Sequence, residues 1–343
     1  MSQKKKKALG RGMSDLVEGS FSSIVEPVPE GKAAPPVMQP RGAPAEPPVL
    51  QPRRIEIAAP ATIPSPVATP PIVPFDVISI SSGKGGTGKS VLTSNLGVLM
   101  GSTTRAAVLD ADLGLANIHI LYNLMPAYNV SHVIAGRKTL QEILLRGPRG
   151  VNVIPGGSGI PELASLTDTM FSSLIREISA LDRLIDLLLI DTPSGIDKKS
   201  LIFLLASDQV LVVTTEDVTA LTDAYAIIKT IWGHRPTAAV SLVVNQARTQ
   251  ADGMEAFHKV AHVARKFLGR ELALAGVVPF DENVERSVAE RVPVVISHPT
   301  SPAARAIIAL AGRLGVFHGR SPRAGLPFAA RFKGILSAQP GGA

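Results

Sequence analysis

One short segment of the sequence combines glycines, lysines and a hydroxyl residue in a spacing that suits phosphate binding. It matches the pattern G-x-x-x-x-G-K-S/T, and its residues are Gly83, Lys84, Gly85, Gly86, Thr87, Gly88, Lys89 and Ser90. Glycines let successive backbone N–H groups curl around phosphates at the positive end of a helix dipole. Because the segment follows the apolar run Val77–Ser81 and opens a helical pattern, it predicts a phosphate-binding loop. We expect Lys89 to bridge the β- and γ-phosphates and Ser90 to ligate Mg²⁺.

Two other segments place carboxylates at the ends of apolar runs. Asp110 and Asp112 end one such run, and Asp191 directly follows Leu187–Ile190. In a doubly wound sheet, ligands bind at the carboxyl ends of the strands, where these acids are expected to lie. Carboxylates beside a phosphate site would repel the ligand unless a cation intervened. The charges therefore predict Mg²⁺ in addition to the nucleotide.

The elements that must position these residues alternate along the chain. Apolar runs typical of strands buried on both faces alternate with helix-length segments, so the pattern predicts an α/β fold with a doubly wound, mostly parallel sheet of about seven to eight strands. The predicted strands are Val77–Ser81, Ala106–Asp110, Val151–Ile154, Leu187–Ile190, Val210–Thr214, Val240–Asn245 and Leu272–Val278. The predicted helices include Ser90–Met100, Leu166–Ala180, Ala220–Trp232 and Gly253–Leu268.

Composition divides the 343 residues into a neutral body and two basic ends. Residues 1–60 hold nine Lys/Arg against six Asp/Glu, and residues 313–343 hold five Lys/Arg and no acid. Residues 61–312 have a net charge of −1, which favours tail-mediated contact with an anionic surface over a basic groove. The chain has no cysteine, which excludes disulfides, thiol nucleophiles and cysteine-ligated iron–sulfur clusters. It shows no secretory signal and no apolar stretch of membrane-spanning length, so a cytoplasmic location is expected.

The two ends differ in pattern from the body. Residues 1–19 form a basic leader that suits a docking peptide, and residues 20–74 read as a disordered, proline-rich linker, since 15 of the 28 prolines fall within the first 74 residues. The predicted enzymatic domain covers 75–312. In the basic tail, 313–343, the apolar residues Phe328, Phe332, Ile335 and Leu336 share one helical face. This face predicts either an interfacial membrane helix or a helix packed on the domain, and a frayed terminus is the remaining alternative.

The loop contains a lysine besides Lys89, and this residue, Lys84, indicates which family of phosphate-loop proteins the chain resembles. The string from Lys84 to Ser90 resembles K-G-G-x-G-K-S/T, the deviant Walker A motif of the MinD/ParA family of ATPases. The resemblance covers about 75–312 and implies a slow, Mg²⁺-dependent, partner-stimulated ATPase that forms a homodimer in the ATP state. It also implies that Lys84 acts across the dimer on the other subunit's nucleotide. Val91 stands where many members place a threonine that touches the α-phosphate.

The other motifs of the family occur in the same order. Residues 110–117 resemble its switch I, which implies that Asp112 orients the attacking water, that Asp110 holds a magnesium-bound water and that Asn117 belongs to the nucleotide site. Residues 187–195 resemble Walker B and switch II, which implies a magnesium role for Asp191 and a γ-phosphate contact for the N–H of Gly195. Three residues resemble those that surround the base: Asn245, Pro279 and Asp281.

Within the family, residues 222–229 and 301–307 are most similar to the FlhG/FleN (YlxH) branch, which regulates flagellar number and placement. The Asp-Gln-Ala core of that branch's activating peptide is missing, and Lys7–Leu16 resembles the leader of ParB proteins instead. The resemblance implies a positioning ATPase at the inner face of the cytoplasmic membrane, with an activator or cargo of unknown identity. The alternative is a ParA-type partition ATPase that binds DNA non-specifically. An iron–sulfur carrier is excluded by the absence of cysteine.

Overall fold

A computed structural model describes residues 75–112, 116–157, 168–315 and 328–338 of the chain. Within these ranges eight strands form one sheet in the order β3-β4-β2-β5-β1-β6-β7-β8. All neighbouring strands run parallel except β3 and β4, which pair antiparallel. The strands are β1 (Asp76–Ser82), β2 (Ala106–Asp110), β3 (Leu145–Arg146), β4 (Asn152–Ile154), β5 (Leu187–Asp191), β6 (Gln209–Thr214), β7 (Ala239–Ala247) and β8 (Ala273–Pro279). The predicted doubly wound, mostly parallel sheet is thus confirmed, and β3 is the strand that the sequence pattern missed.

Helices of very different lengths connect and cover these strands. Those before β5 are α1 (Lys89–Gly101), α2 (Ile118–Leu121), α3 (Val130–Ile134), α4 (Leu140–Ile143) and α5 (Asp168–Ser179). Those after it are α6 (Lys198–Ala206), α7 (Val218–His234), α8 (Gln250–Leu268), α9 (Glu282–Glu290), α10 (Val294–Ser297), α11 (Pro302–Gly315) and α12 (Phe328–Ala338). None of the helices in the described ranges has the length and hydropathy that a membrane span requires.

The sheet separates two apolar cores because successive side chains of a strand point to opposite faces. In β5, Leu187 and Leu189 pack with α1 and α11, whereas Leu188 and Ile190 pack with α5 and α6. Every residue of β5 is buried, which explains its uninterrupted apolar sequence. The central strands β1, β2 and β5 are therefore held firmly on both sides, and their carboxyl ends present the site.

The C-terminal helix α12 forms where the apolar spacing predicted a helix, and it packs on the domain through α5 and α6. Phe332 is fully buried, and its ring meets those of Phe203 and Phe328 edge-on or tilted. On the same helix, Arg331 forms an ion pair with the half-buried Asp208 at the start of β6. Of the two predicted arrangements for this helix, the structure shows the packed one, in which the domain core covers Phe328 and Phe332. A membrane can reach these side chains only if α12 leaves the domain.

The leader (1–19) and the proline-rich linker (20–74) lie outside the described residues. So do residues 316–327 and 339–343 of the basic tail, and the side chain of Leu336. The assignments made for these segments stay predictions.

Candidate functional site

The predicted phosphate loop connects the end of β1 to the first turn of α1. Gly86 and Gly88 have φ angles of 83° and 80°, in the left-handed region that favours glycine. A Cβ atom on Gly88 would lie 2.3 Å from Nδ2 of Asn245, so no larger residue fits there. At Gly86 the corresponding direction is open, with no atom within 4 Å. The loop therefore curls tightly against the domain on one side and leaves room on the other, as a phosphate cradle requires.

The lysine and serine that end this loop contact the acid at the tip of β5. Lys89 Nζ donates to Asp191 Oδ1 at 2.7 Å, and the Ser90 hydroxyl donates to Asp191 Oδ2 at 2.6 Å. Asp191 is only 1% exposed, and Lys89 is also buried. The structure thus brings the Walker B acid together with Ser90, as expected, and also with Lys89, a contact that the sequence did not predict. The buried ammonium and carboxylate satisfy each other here.

A second buried acid lies beside the first. Asp110 ends β2 and pairs in register with Asp191 on the adjacent strand β5. Its carboxylate accepts backbone N–H groups of Asp112 at 3.3 Å, Asn117 at 2.7 Å and Ile118 at 2.9 Å. Burial and the charge of Asp191 raise the pKa of Asp110 to about 7. The carboxylates of Asp110 and Asp191 thus lie on adjacent strands, and the Ser90 hydroxyl contacts one of them. Two carboxylates and a hydroxyl are a donor set that suits Mg²⁺.

Hydrogen bonds to Asp110 hold both ends of the predicted switch I segment, residues 110–117. Asp112 lies two residues after the end of β2 and is partly exposed, whereas Asn117, the N-cap residue of α2, is exposed. The backbone N–H of Asn117 is bound to Asp110, so this residue anchors the segment to the acid site. The roles predicted for Asp112 in water activation and for Asn117 in nucleotide binding remain predictions, and residues 113–115 lie outside the described ranges.

Lys84 has a different environment from Lys89. It is partly exposed, and its Nζ lies 3.3 Å from Oδ2 of Asp217 and 3.0 Å from Oγ1 of Thr219. Asp217 is the N-cap residue of α7, and Thr219 lies in its first turn. Sequence reasoning missed both partners, although they follow the tip of β6 and so belong to the edge of the sheet where ligands bind.

Switch II curls back onto β1. Gly195 has a φ of 92°, and its N–H donates to the carbonyl oxygen of Ser82 at 2.9 Å. Thr192 is anchored to the same strand through Ile80. The predicted contact of the Gly195 N–H with a γ-phosphate is therefore not the contact that this structure shows. The turn would have to release Ser82 before that N–H could face a phosphate.

A cleft with mainly apolar walls opens beside the loop. Asn245 stands at its inner end, where Nδ2 donates to the carbonyl oxygen of Thr87 at 2.8 Å and ties β7 to the phosphate loop. Its walls are suited to a flat heteroaromatic ring and include Val91, Leu92, Val278, Pro279, Phe280, Val284 and Ile307. Asn245, Pro279 and Val91 thus line one cleft beside the phosphate loop, and the contacts predicted for them with the nucleotide remain predictions.

Asp281 lines the cleft, but its carboxylate serves the fold. Asp281 is the N-cap residue of α9, and its Oδ1 accepts from the backbone and side-chain N–H groups of Asn283. Oδ2 accepts the N–H of Ala303 in the first turn of α11. Both carboxylate oxygens thus hold helix termini, and the nucleotide contact predicted for Asp281 stays a prediction. Its effect on the cleft is indirect, through the position of the wall that α9 and α11 form.

Taken in order along the edge of the sheet, an apolar cleft, a glycine cradle with a buried lysine, and paired carboxylates beside a serine define a P-loop nucleotide-binding domain. A profile of the ParA family, described as "NUBPL iron-transfer P-loop NTPase", matches residues 75–315. This chain belongs to the ParA family of P-loop NTPases, whose MinD and ParA members are ATPases. The iron transfer in that description has no cysteine ligands available here.

Relatives and solved structures give the same family. The antiactivator FleN of Pseudomonas aeruginosa is 35% identical over 242 residues, which are 70% of this chain and 86% of FleN. The flagellum site-determining protein YlxH of Helicobacter pylori is 34% identical over 217 residues, 62% of this chain and 73% of YlxH. The septum site-determining protein MinD of Pyrococcus horikoshii, solved with Mg-ADP, has a TM-score of 0.61 and 25% identity, covering 71% of this chain and 98% of that one. The predicted family is confirmed, including its likeness to the FlhG/FleN branch.

Proposed function

We propose that this chain is an ATPase that acts as a dimerising switch and positions a cellular structure such as a flagellum, a pole organelle or the division or motility machinery. In this proposal the ATP-bound homodimer holds a protein partner at the membrane, and hydrolysis to ADP and phosphate returns the free monomer. The observation that carries the proposal is the contrast between the two loop lysines. Lys89 is buried against Asp191 within the site, whereas Lys84 is partly exposed beside Asp217 and can be offered to a second copy.

Within one site, the roles follow from position. The glycine loop and Lys89 would hold the phosphates, and Ser90, Asp110 and Asp191 would hold Mg²⁺. The bound nucleotide and metal supply the phosphoanhydride that is cleaved and the positive charge that offsets the two acids. Asp112, which follows β2 and is partly exposed, would orient the attacking water. Asn245 and Pro279 would enclose the base.

The surface around Lys84 supports association with a second copy. Val218, next to Asp217, is 78% exposed, and Ile196 in the switch II segment is 39% exposed. Burial of these side chains against a second copy would remove apolar surface from water, which favours association. In the proposed dimer, Lys84 would exchange Asp217 and Thr219 for the phosphates bound by the partner subunit, and burial of Val218 would accompany the exchange.

The proposed location is the inner face of the cytoplasmic membrane, reached through the basic tail. Since α12 is packed on α5 and α6, the proposal requires that this helix leave the domain before Phe328 and Phe332 meet lipid. A single helix with so few large apolar side chains binds weakly, and two helices in a dimer would bind more tightly through avidity. The names of YlxH, a flagellum site-determining protein, and of MinD, a septum site-determining protein, point to a positioning role, and FleN is named an antiactivator.

The alternative, a partition ATPase that binds DNA non-specifically, has less support. Residues 61–312 carry a net charge of −1. Among the basic residues of the α8 region that could serve DNA, Arg265 is paired with Glu271 at 2.6 Å, and Arg270 lies over the ring of Trp232. A strong fall of affinity with rising salt on duplex DNA would favour this alternative.

The test compares two variants of the site with a surface control. Lys89→Ala should abolish binding of a fluorescent ATP analogue, whereas Asp112→Ala should bind ATP and not cleave it. Glu255→Ala, on the exposed side of α8, removes a carboxylate that pairs with Lys259 one turn further along and should hydrolyse ATP at the wild-type rate. Single-turnover hydrolysis and equilibrium binding separate these outcomes. Wild-type cleavage by Asp112→Ala would contradict its role, and ATP binding by Lys89→Ala at wild-type affinity would contradict the proposed site.

A further inference from the structure

Thr93 is a fully buried hydroxyl residue one turn after Lys89 on α1, and none of the motifs described above includes it. Its Oγ1 lies 2.9 Å from the carbonyl oxygen of Lys89 and 3.0 Å from Oδ1 of Asp191. The first contact is the usual bond of a helical threonine to the carbonyl four residues earlier. The second contact crosses from α1 to the tip of β5, and the helix does not require it.

The two oxygens of Asp191 have different partners. Oδ1 receives Lys89 and Thr93, whereas Oδ2 receives the hydroxyl of Ser90, 2.6 Å away. If Lys89 turns to a phosphate, as the proposed function requires, Oδ1 loses its charged partner while Asp191 stays 1% exposed. A buried carboxylate oxygen without a donor is unfavourable. Of the two side chains that donate to Oδ1 in this structure, Lys89 and Thr93, only Thr93 would then remain.

We propose that Thr93 is a positioning residue for the magnesium site: its hydroxyl holds Oδ1 of Asp191, so that Oδ2 keeps facing Ser90 after Lys89 has moved to the nucleotide. The inference rests on the proposed function, because it assumes that Lys89 leaves Asp191 for a phosphate. It assigns Thr93 no contact with nucleotide or metal. Its effect should therefore be confined to the part of nucleotide affinity that depends on Mg²⁺.

The alternative is that Thr93 only packs within α1, with its proton satisfied by the Lys89 carbonyl. Thr93→Val keeps the shape of the side chain and removes the hydroxyl, and Thr93→Ser keeps the hydroxyl and removes a methyl group. A purely structural role predicts that both variants change affinity equally with and without Mg²⁺. A positioning role predicts that only the loss of the hydroxyl matters, and only with Mg²⁺.

The experiment measures the dissociation constant of a fluorescent ADP analogue for the full chain, in Mg²⁺ and in EDTA. For Thr93→Val we expect about tenfold weaker binding in Mg²⁺, the size of one lost hydrogen bond to a charged group, and little change in EDTA. Thr93→Ser should bind as the wild type does in both conditions. Ser94→Ala is the matched control, because the neighbouring hydroxyl is also buried on α1 but donates to the carbonyl of Val91.

Three results would overturn the inference: equal weakening of Thr93→Val in Mg²⁺ and in EDTA, wild-type affinity of Thr93→Val in both, or failure of Thr93→Ser to restore binding. Thermal unfolding of the nucleotide-free variants checks the fold, and Thr93→Ala replaces Thr93→Val if the latter does not fold. Failure of the proposed function looks different, because Lys89→Ala would then bind the analogue as well as the wild type does. If binding of the analogue depends on Lys89 and on Mg²⁺ but is the same for Thr93→Val as for the wild type, this inference alone is contradicted.

Discussion

Replacing Phe332 by alanine tests whether the C-terminal helix α12 is a separable unit of the domain. The ring of Phe332 is 0% exposed and packs between Phe203 and Phe328. Loss of a fully buried phenylalanine side chain costs about 3–5 kcal/mol. If α12 detaches as a unit, that cost falls on its docking equilibrium, and every 1.4 kcal/mol changes the equilibrium about tenfold. The detached population should then rise by about two to three and a half orders of magnitude.

Hydrogen exchange of residues 328–338 and limited trypsin digestion would measure this detachment. Arg331 is an internal reporter, because it is paired with Asp208 in the docked helix and becomes a cleavage site when the helix opens. Phe267→Ala is the control, since Phe267 is 65% exposed and its loss should change neither exchange nor cleavage at α12. If Phe332→Ala lowers the stability of the whole domain and α12 exchanges only with global unfolding, the helix is an integral part of the fold and the reasoning is refuted.

Three further predictions concern the site. Because the pKa of Asp110 is about 7 in the fold against an ordinary value of 3.8, the folded chain binds more protons between these values, so nucleotide-free stability should fall as pH rises from about 4 to about 7. Asp110→Asn should lack this part of the pH dependence in denaturant titrations, and identical profiles would contradict the assignment. Gly88→Ala should lose nucleotide binding in equilibrium titrations, because of the φ of 80° and the short approach to Asn245; wild-type affinity would show that the loop relaxes. Val218→Glu should bind ATP as a monomer in sedimentation experiments, and an intact dimer would place the interface elsewhere.

Much of the fold could be predicted from sequence because its central strands are buried on both faces. In the sequence such strands are apolar runs that end in a polar residue. The run Leu187–Ile190 followed by Asp191 therefore predicted both strand β5 and the acid at its carboxyl end. Strand β3 was missed because Leu145 and Arg146 form only a two-residue antiparallel pair with β4. Two residues are too short for a period of two to show.

The parts of the site that escaped prediction depend on contacts between distant segments. Lys84 and its partner Asp217 are 133 residues apart, and Thr93 and Asp191 are 98 apart, so no local pattern announces either contact. The sequence placed Asp281 at the nucleotide site but did not show that its carboxylate also holds the termini of α9 and α11. The apolar face of α12 was visible as a helical spacing, but that spacing is the same whether the face meets lipid or the domain core.

The central claim is that Lys84 acts on a second copy of the chain and Lys89 on its own nucleotide. Light scattering after size-exclusion chromatography, with a non-hydrolysable ATP analogue and then with ADP, tests it most directly. We predict an ATP-state dimer for the wild type and for Lys229→Ala, an exposed lysine on α7 that serves as control. Lys84→Ala should bind the analogue yet remain a monomer. A dimer of Lys84→Ala in the ATP state, or a loss of nucleotide binding as complete as that of Lys89→Ala, would contradict the claim.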